Sequence, residues 1–158
     1  MAYTMNVTGM DEIGKLLEKM EKAAPAVAAE ALYEGAGIMS AEINGAAAGI
    51  RTGPGATRQS ARYATEEEKA AVLSAGAGIA KFQKNGTEVN TSVGYKSSGY
   101  ATIRGKRKPI PLIANSINSG TSFMHKQPFV RRAASSGGAK AMSKMTEFIE
   151  DAFEKMNK

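Results

Sequence analysis

The sequence contains no cysteine and no tryptophan, and its one histidine is His125. Without cysteine, the chain forms no disulfide and supplies neither a thiolate zinc site nor a cysteine nucleophile. A single histidine also excludes a metal site built from several histidines of one chain. No apolar run approaches the ~18 residues that a membrane-spanning helix needs. The first residues combine neither a basic start nor an apolar stretch, so we expect no signal peptide and no membrane partner.

Large apolar side chains are also few. The 158 residues include ten aromatic residues, nine methionines and seventeen glycines. This length fits a single domain spanning residues 1–158, but small residues bury little apolar area to offset the entropy of the chain. Because binding to the folded state adds to its stability, we expect contacts with neighbouring subunits to contribute to the order of this protein.

The net charge of +6 is distributed unevenly along the chain. Residues 1–50 hold seven acidic and three basic residues, whereas residues 51–158 hold eight acidic and eighteen basic ones. Between Lys96 and Arg132 there are eight lysines or arginines and no acidic residue. Such a segment faces a polyanion, meets an acidic partner surface or forms a solvated basic loop.

Apolar spacing predicts helices at both ends of the chain. Positions 13, 16, 17 and 20 mark a helix from Asp11, and Pro25 suits the first turn of a second helix that runs to about Asn44. Apolar positions from 142 to 156 mark a helix from Lys140 to the C terminus. Three small residues on the inward side of the second helix would let another backbone approach closely: Ala28, Gly35 and Ala36.

The middle of the chain carries capping and turn signals. Thr65 and Glu68 form a capping box that predicts a short helix to about Ser74. Asn85-Gly86 predicts a hairpin between 79–84 and 87–95, and weak alternation predicts a strand at 3–7. Glycine-rich or serine-bearing segments at 45–58 and 96–108 favour flexible loops. The class is therefore α+β, with N-terminal helices and a C-terminal helix packed on a small antiparallel β-sheet.

Residue patterns that could support catalysis are weak. The glycines at 49–55 and 76–78 fit neither the phosphate-cradling loop nor the dinucleotide-binding pattern. Glu66, Glu67 and Glu68 point to different faces of a helix, so they favour a helix N-terminus rather than paired acid–base groups. His125 has no acidic residue within thirty positions upstream. We therefore expect no enzyme, no cofactor and no metal.

Binding of nucleic acid is a stronger possibility. The basic residues of segment 96–132 could neutralise phosphates without reading sequence, and aromatic residues lie among them, although no helix-turn-helix, zinc-finger or RNA-recognition signature is present. A nonspecific nucleic-acid-binding protein that uses this segment is therefore one hypothesis. Its candidate contacts are Lys96, Arg104, Lys106, Arg107, Lys108, Arg131 and Arg132.

One stretch of the sequence gives more specific information about function than the overall composition does. Residues 113–122, followed by Gln127-Pro128-Phe129-Val130-Arg131-Arg132-Ala133, resemble the signature of a family of tailed-phage neck and tail-completion proteins: a Gly-Thr or Gly-Ser turn, a short gap, and Pro-Phe-aliphatic-Arg opening the last helix. Met10-Asp11-Glu12-Ile13 and Thr52-Gly53 stand where that family starts its first helix and places a Thr-Gly loop.

The resemblance implies a structural virion protein at the head–tail junction. Several copies would form a ring around the DNA channel and join head-completion or connector proteins to tail-terminator or tail proteins, first in the host cytoplasm and then in the virion. A ring needs contacts between two different faces of each subunit, and we infer that the acidic N-terminal and basic C-terminal halves supply them. Nonspecific contact with packaged DNA would involve Arg104, Lys106, Arg107, Lys108, Arg131 and Arg132.

Four residues of the block have expected structural roles. Gly120 supplies a backbone angle that other residues resist, and Thr121 follows it in the turn. Pro128 occupies the first position of the terminal helix, where its missing N–H costs nothing. Phe129 is then the buried anchor of that helix. Arg131 and Arg132 point elsewhere and are free to contact a partner or DNA.

Overall fold

The computed structural model describes residues 10–53, 61–81, 83–85 and 88–156. These ranges confirm the α+β class, and the strand predicted at 3–7 lies outside them. The elements in chain order are α1 (Met10–Ala48), α2 (Glu66–Ala75), β1 (Gly78–Ile79), β2 (Gln83–Asn85), β3 (Glu88–Asn90), β4 (Val93–Gly94), β5 (Tyr100–Ile103), β6 (Lys106–Pro109), α3 (Ile110–Ser119) and α4 (Phe129–Met156).

Helix α1 is one continuous element of 39 residues with Pro25 inside it. The prediction of two helices, the second beginning at Pro25 and ending at about Asn44, is therefore wrong. A proline in a helix interior costs about 3 kcal/mol. Residues 23–31 around it are mostly alanine, the best helix former, and α1 continues to Ala48 because Ala47 is buried in the core. Local preference and packing together outweigh the cost of the proline.

Helices α1 and α4 run antiparallel and approach closely through glycines on both helices. Gly35 of α1 lies against the side chain of Met145, and a Cβ atom on Gly137 of α4 would lie 2.8 Å from Cγ of Glu42. Glu42 also accepts hydrogen bonds from the Lys140 ammonium at 2.7 Å and from the Ser136 hydroxyl at 2.9 Å. Gly35 therefore lies on the face of α1 that packs against α4, but its neighbour is the side chain of Met145 and not the backbone approach that was predicted.

The first hairpin consists of two short antiparallel strand pairs. Strand β1 pairs antiparallel with β4, and β2 pairs with β3, with Asn85 opposite Glu88. Ile79 is paired with Val93 in the first of these pairs, and Gln83 is paired with Asn90 in the second. The antiparallel pairing predicted around Asn85-Gly86 is confirmed, and residues 86–87 lie outside the described ranges.

The second hairpin corrects an expectation. Segment 96–108, predicted as an exposed loop, contains the paired strands β5 and β6 joined by Arg104-Gly105. Both turn residues have positive φ, 51° for Arg104 and 75° for Gly105, as a two-residue type I′ turn requires. The first part of the other predicted loop, 45–48, is the last turn of α1. Residues 54–58 of that loop lie outside the described ranges.

The core lies where the end of α1 meets α2, α3 and the start of α4. Its largest fully buried side chains are Phe129, Ile50, Ile117 and Val72. Phe129 is 1% exposed and meets the Tyr95 ring edge-on, with 6.5 Å between centroids. Alanine fills much of the remaining volume, so few large side chains fix the relative positions of the helices.

Candidate contact surfaces

Basic residues on the β5–β6 hairpin are divided between its two faces. Successive residues of a strand point to opposite faces, so Arg107 shares a face with Tyr100 and Thr102, and its guanidinium lies 4.2 Å from the centre of the Tyr100 ring. Lys106 and Lys108 belong to the other face, which also carries the buried Ile103. The predicted contact residues of this segment therefore do not form one surface.

The hairpin is attached to the helical part of the molecule by main-chain hydrogen bonds. The N–H of Arg104 donates to Oε2 of Glu67 at 3.0 Å, which joins the turn to the first turn of α2. The N–H of Ile110 donates to the carbonyl of Gly99 at 2.9 Å, which joins its base to α3. These contacts fix the direction in which Arg104 and Arg107 are presented, and both side chains are exposed.

A buried ion pair lies behind the hairpin. Both terminal nitrogens of Arg62 contact the two carboxylate oxygens of Glu68, each at 2.6 Å, and the side chain of Glu68 is 4% exposed. Glu68 also accepts a hydrogen bond from the N–H of Thr65, and the Glu68 N–H donates to the Thr65 hydroxyl. The predicted capping box of α2 is confirmed, and its carboxylate has a second role as the partner of Arg62.

The pKa of Glu68 reflects opposing effects. Burial raises the pKa of this carboxyl group, whereas hydrogen bonds from Arg62 and Thr65 and the positive charges of Arg62 and Lys108 lower it, and the lowering effects prevail. The hydrogen bond to Glu68 raises the pKa of Arg62, although burial acts the other way. Lys108 therefore faces a carboxylate of its own chain as well as the solvent.

The block that resembles the phage family forms the connection from α3 to α4. Gly120 has a φ of 76°, and a Cβ atom there would lie 3.0 Å from the backbone nitrogen of Lys126, so both conformation and space require glycine. Thr121 exchanges backbone hydrogen bonds with Met124. Pro128 directly precedes α4, and its carbonyl accepts a hydrogen bond from the N–H of Arg132. The expectations for Gly120 and for the burial of Phe129 are confirmed.

A cleft of about 410 Å³ lies beside the start of α4. We call it the basic cleft because three of its lining residues are cationic at neutral pH, namely Arg51, Lys126 and Arg132. Its remaining lining residues are Gly49, Tyr63, His125, Gln127 and Pro128. Arg132 was predicted as a contact residue, whereas Arg51 and Lys126 were not.

Gln127 holds the basic cleft together. Its side chain is buried, its Oε1 accepts a hydrogen bond from the N–H of Arg51 at 2.7 Å, and its Nε2 donates to the Arg51 carbonyl at 3.0 Å. The N–H of His125 donates to the carbonyl of Arg62, and the His125 ring lies 4.9 Å from the ring of Tyr63. Distant parts of the chain thus meet at this site.

The basic residues predicted to contact DNA or a partner lie near the two ends of α3. The hairpin that carries Arg104 and Arg107 joins the first turn of α3, while Asn118, near its end, accepts a hydrogen bond from the N–H of Val130 in α4. Ten helical residues span about 15 Å. The structure therefore does not bring Arg131 and Arg132 together with the basic residues of 104–108.

Within the described ranges, no three His, Asp or Glu side chains cluster as a metal site would require. None of the helices in that part of the chain is both long and apolar enough to cross a membrane. Comparison of the chain with protein-family models, with curated proteins and with solved structures found no match.

Proposed function

We propose that this protein is a structural component of the head–tail junction of a tailed phage, where several copies surround the DNA channel and join and seal the head to the tail. Head-completion or connector proteins on one side and tail-terminator or tail proteins on the other would be its partners. Assembly in the host cytoplasm would precede its place in the virion. The proposal combines the sequence resemblance with one structural observation, the anchored basic hairpin.

The hairpin supports this role by its charge and its attachment. Arg104, Lys106, Arg107 and Lys108 form no ion pair with a carboxylate of the described residues. Exposed cations on a short, attached hairpin can screen phosphates without gripping bases. Repeated around a ring, Arg104 and Arg107 would give a lumen a positive surface along which DNA can move.

A second candidate function is nonspecific binding of nucleic acid by the isolated chain. The exposed Tyr100 ring with Arg107 stacked on it favours this alternative, because aromatic rings and guanidinium groups both stack on bases. The two functions differ in their dependence on salt. A dedicated binder loses affinity steeply as salt rises, whereas a junction protein depends mainly on its protein partners.

Disruption of the gene in the parent phage tests the junction role directly. We expect electron microscopy of lysates to show DNA-filled heads beside separate, complete tails. Intact and infectious particles would contradict the proposal, and binding of duplex DNA across a salt series would then test the second candidate.

A charge variant tests the hairpin itself. Replacing Arg104, Lys106, Arg107 and Lys108 by alanine should leave the melting temperature nearly unchanged and reduce the yield of infectious particles, because the first three residues are exposed and Lys108 is half-exposed. The matched control replaces four exposed lysines on the helices by alanine: Lys15, Lys19, Lys22 and Lys155. Equal phage yields from the two variants would contradict a role for the hairpin.

A further inference from the structure

The basic cleft has an electrostatic arrangement that invites a negatively charged ligand. Arg51 follows α1, whereas Lys126 and Arg132 stand on either side of the start of α4, and the described residues that line the cleft include no carboxylate. Like charges brought together repel one another and destabilise the folded state. A bound anion would relieve that repulsion, whereas solvent screens it only in part.

Helix α4 adds to the positive potential at this place. The N-terminus of a helix carries a partial positive charge that acidic residues in the first turn usually offset. The first turn of α4 contains no acidic residue and instead carries Arg131 and Arg132. This distribution of charge opposes local stability in a helix of 28 residues, so it indicates a function other than folding.

The lining of the cleft is held in place before any ligand binds. Gln127 fixes the backbone of Arg51 through two hydrogen bonds. The backbone of His125 is hydrogen-bonded to Arg62, and its ring contacts Tyr63. A site whose backbone is already ordered loses less entropy on binding than a flexible loop does. Only the exposed ends of the cationic side chains remain to be ordered.

We propose that the basic cleft is a binding site for a phosphate group, with the side chains of Arg51, Lys126 and Arg132 as its cationic ligands and His125 as a further donor. Guanidinium groups offer paired N–H donors that match phosphate oxygens, and lysine adds a point charge. One carboxylate would neutralise a single cation, whereas a phosphate group offers enough oxygens for all three. This inference does not depend on the head–tail role.

Inorganic phosphate is the first probe. Titration of the full chain, followed by amide chemical shifts, should perturb residues 49–51, 62–63 and 124–132 selectively. The variant with Arg51→Gln, Lys126→Gln and Arg132→Gln should bind phosphate at least about tenfold more weakly, since a hydrogen bond to a charged group contributes about 1.5–3 kcal/mol. The matched control is Arg131→Gln, which removes a charge from the same helix turn outside the cleft lining and should change the affinity by less than about twofold.

Duplex DNA is the second probe and identifies the source of the phosphate. If the cleft holds a DNA phosphate, the slope of log affinity against log salt should become shallower by about 0.9 in the triple variant, because the contact with one phosphate is lost. If phosphate binds but this slope is unchanged, the ligand is a free phosphate or phosphate monoester. The variant with alanine at positions 104 and 106–108 of the hairpin should retain phosphate binding, whichever source of phosphate the cleft binds.

Absence of selective shifts with phosphate, together with an unchanged DNA slope in the triple variant, would overturn the proposal. The cations would then be assigned to an acidic protein partner. Circular dichroism melting checks that the triple variant is folded, and the single variant Arg132→Gln repeats the test if it is not. Phage assembly does not enter these measurements, so failure here and failure of the junction role are distinguishable.

Discussion

Loss of the Arg62–Glu68 ion pair should destabilise the fold strongly. In the wild-type fold the side chain of Glu68 is 4% exposed, and Arg62→Ala removes both of its 2.6 Å contacts. Removing one partner of a buried pair costs about 3–5 kcal/mol, because the remaining charge is uncompensated. For a chain of this size, 1 kcal/mol corresponds to about 2–4 °C in melting temperature. We therefore expect the melting temperature to fall by about 6–20 °C.

A double-mutant cycle separates the pair from its surroundings. Arg62→Met with Glu68→Leu removes both charges, so the double variant should be much more stable than the sum of the single changes predicts. The double variant should still unfold with a free energy about 1 kcal/mol below that of the wild type, because the hydrogen bond from the N–H of Thr65 to the carboxylate of Glu68 disappears. Urea unfolding followed by circular dichroism measures each free energy. A coupling energy below about 0.5 kcal/mol would refute the reasoning, as would an equal loss from Lys22→Ala, which breaks the exposed pair with Glu18.

The same pair predicts a dependence on pH. Since the pKa of Glu68 is lower in the folded chain than its ordinary value of 4.5, its ionised form stabilises the fold fully above that value. This contribution is lost as the pH falls from about 4.5 through the lower folded pKa. The stability difference between the wild type and Glu68→Gln should thus be constant from about pH 7 to about pH 5.5 and shrink below about pH 4.5. The pKa of Glu42 is lowered by Lys140, but this effect is present in both proteins and cancels in the difference.

Three further substitutions test the packing. Phe129→Ala should cost about 3–5 kcal/mol, because the side chain is 1% exposed; unchanged melting would contradict its role as the anchor of α4. Gly138→Ala should stabilise α4 by about 0.5–1 kcal/mol, since an added Cβ meets nothing within 4 Å. Gly137→Ala should not stabilise the protein in this way, because the new Cβ would lie 2.8 Å from Cγ of Glu42. Equal melting temperatures of the two glycine variants would show that α1 and α4 do not require the close approach.

The features that could be predicted from sequence depend on interactions between near neighbours. The capping box joins Thr65 to Glu68 within one helical turn, and the turn at Gly120 depends on the backbone angle of a single residue. Phe129 is a large apolar side chain at the first position of α4, directly after Pro128, and this local pattern predicted its place in the core. In each case residues near in sequence contain the signal, although contacts with other parts of the chain complete the burial of Phe129.

The errors arose where packing decides between local alternatives. Pro25 locally favours a helix start, but the alanines around it and the contact of α1 with α4 keep the helix continuous. The β5–β6 hairpin has weak apolar alternation, with Ile103 as its only buried large side chain, and its turn needs a positive φ at Arg104. The dipeptide Arg104-Gly105 was the sequence signal for this turn, but an arginine with a positive φ is uncommon.

The basic cleft was not predictable from local patterns. Arg51 and Gln127 are 76 positions apart, and only the folded chain brings the amide of one against the backbone of the other. The segment from 96 to 132 contains eight basic residues and no acidic one, and this composition suggested one surface. The strand alternation and the length of α3 instead divide these residues among two faces of a hairpin and the start of α4.

Arg62 lies between these two basic surfaces and contacts elements of both. Its guanidinium binds Glu68, whose neighbour Glu67 accepts the N–H of Arg104 at the hairpin turn. Its carbonyl accepts the N–H of His125, and one of its terminal nitrogens donates to the carbonyl of Tyr63, both at the basic cleft. A variant that breaks this ion pair therefore disturbs both surfaces at once. Because of this shared support, the two surfaces must be separated by substitutions of their exposed cations, which leave Arg62 in place.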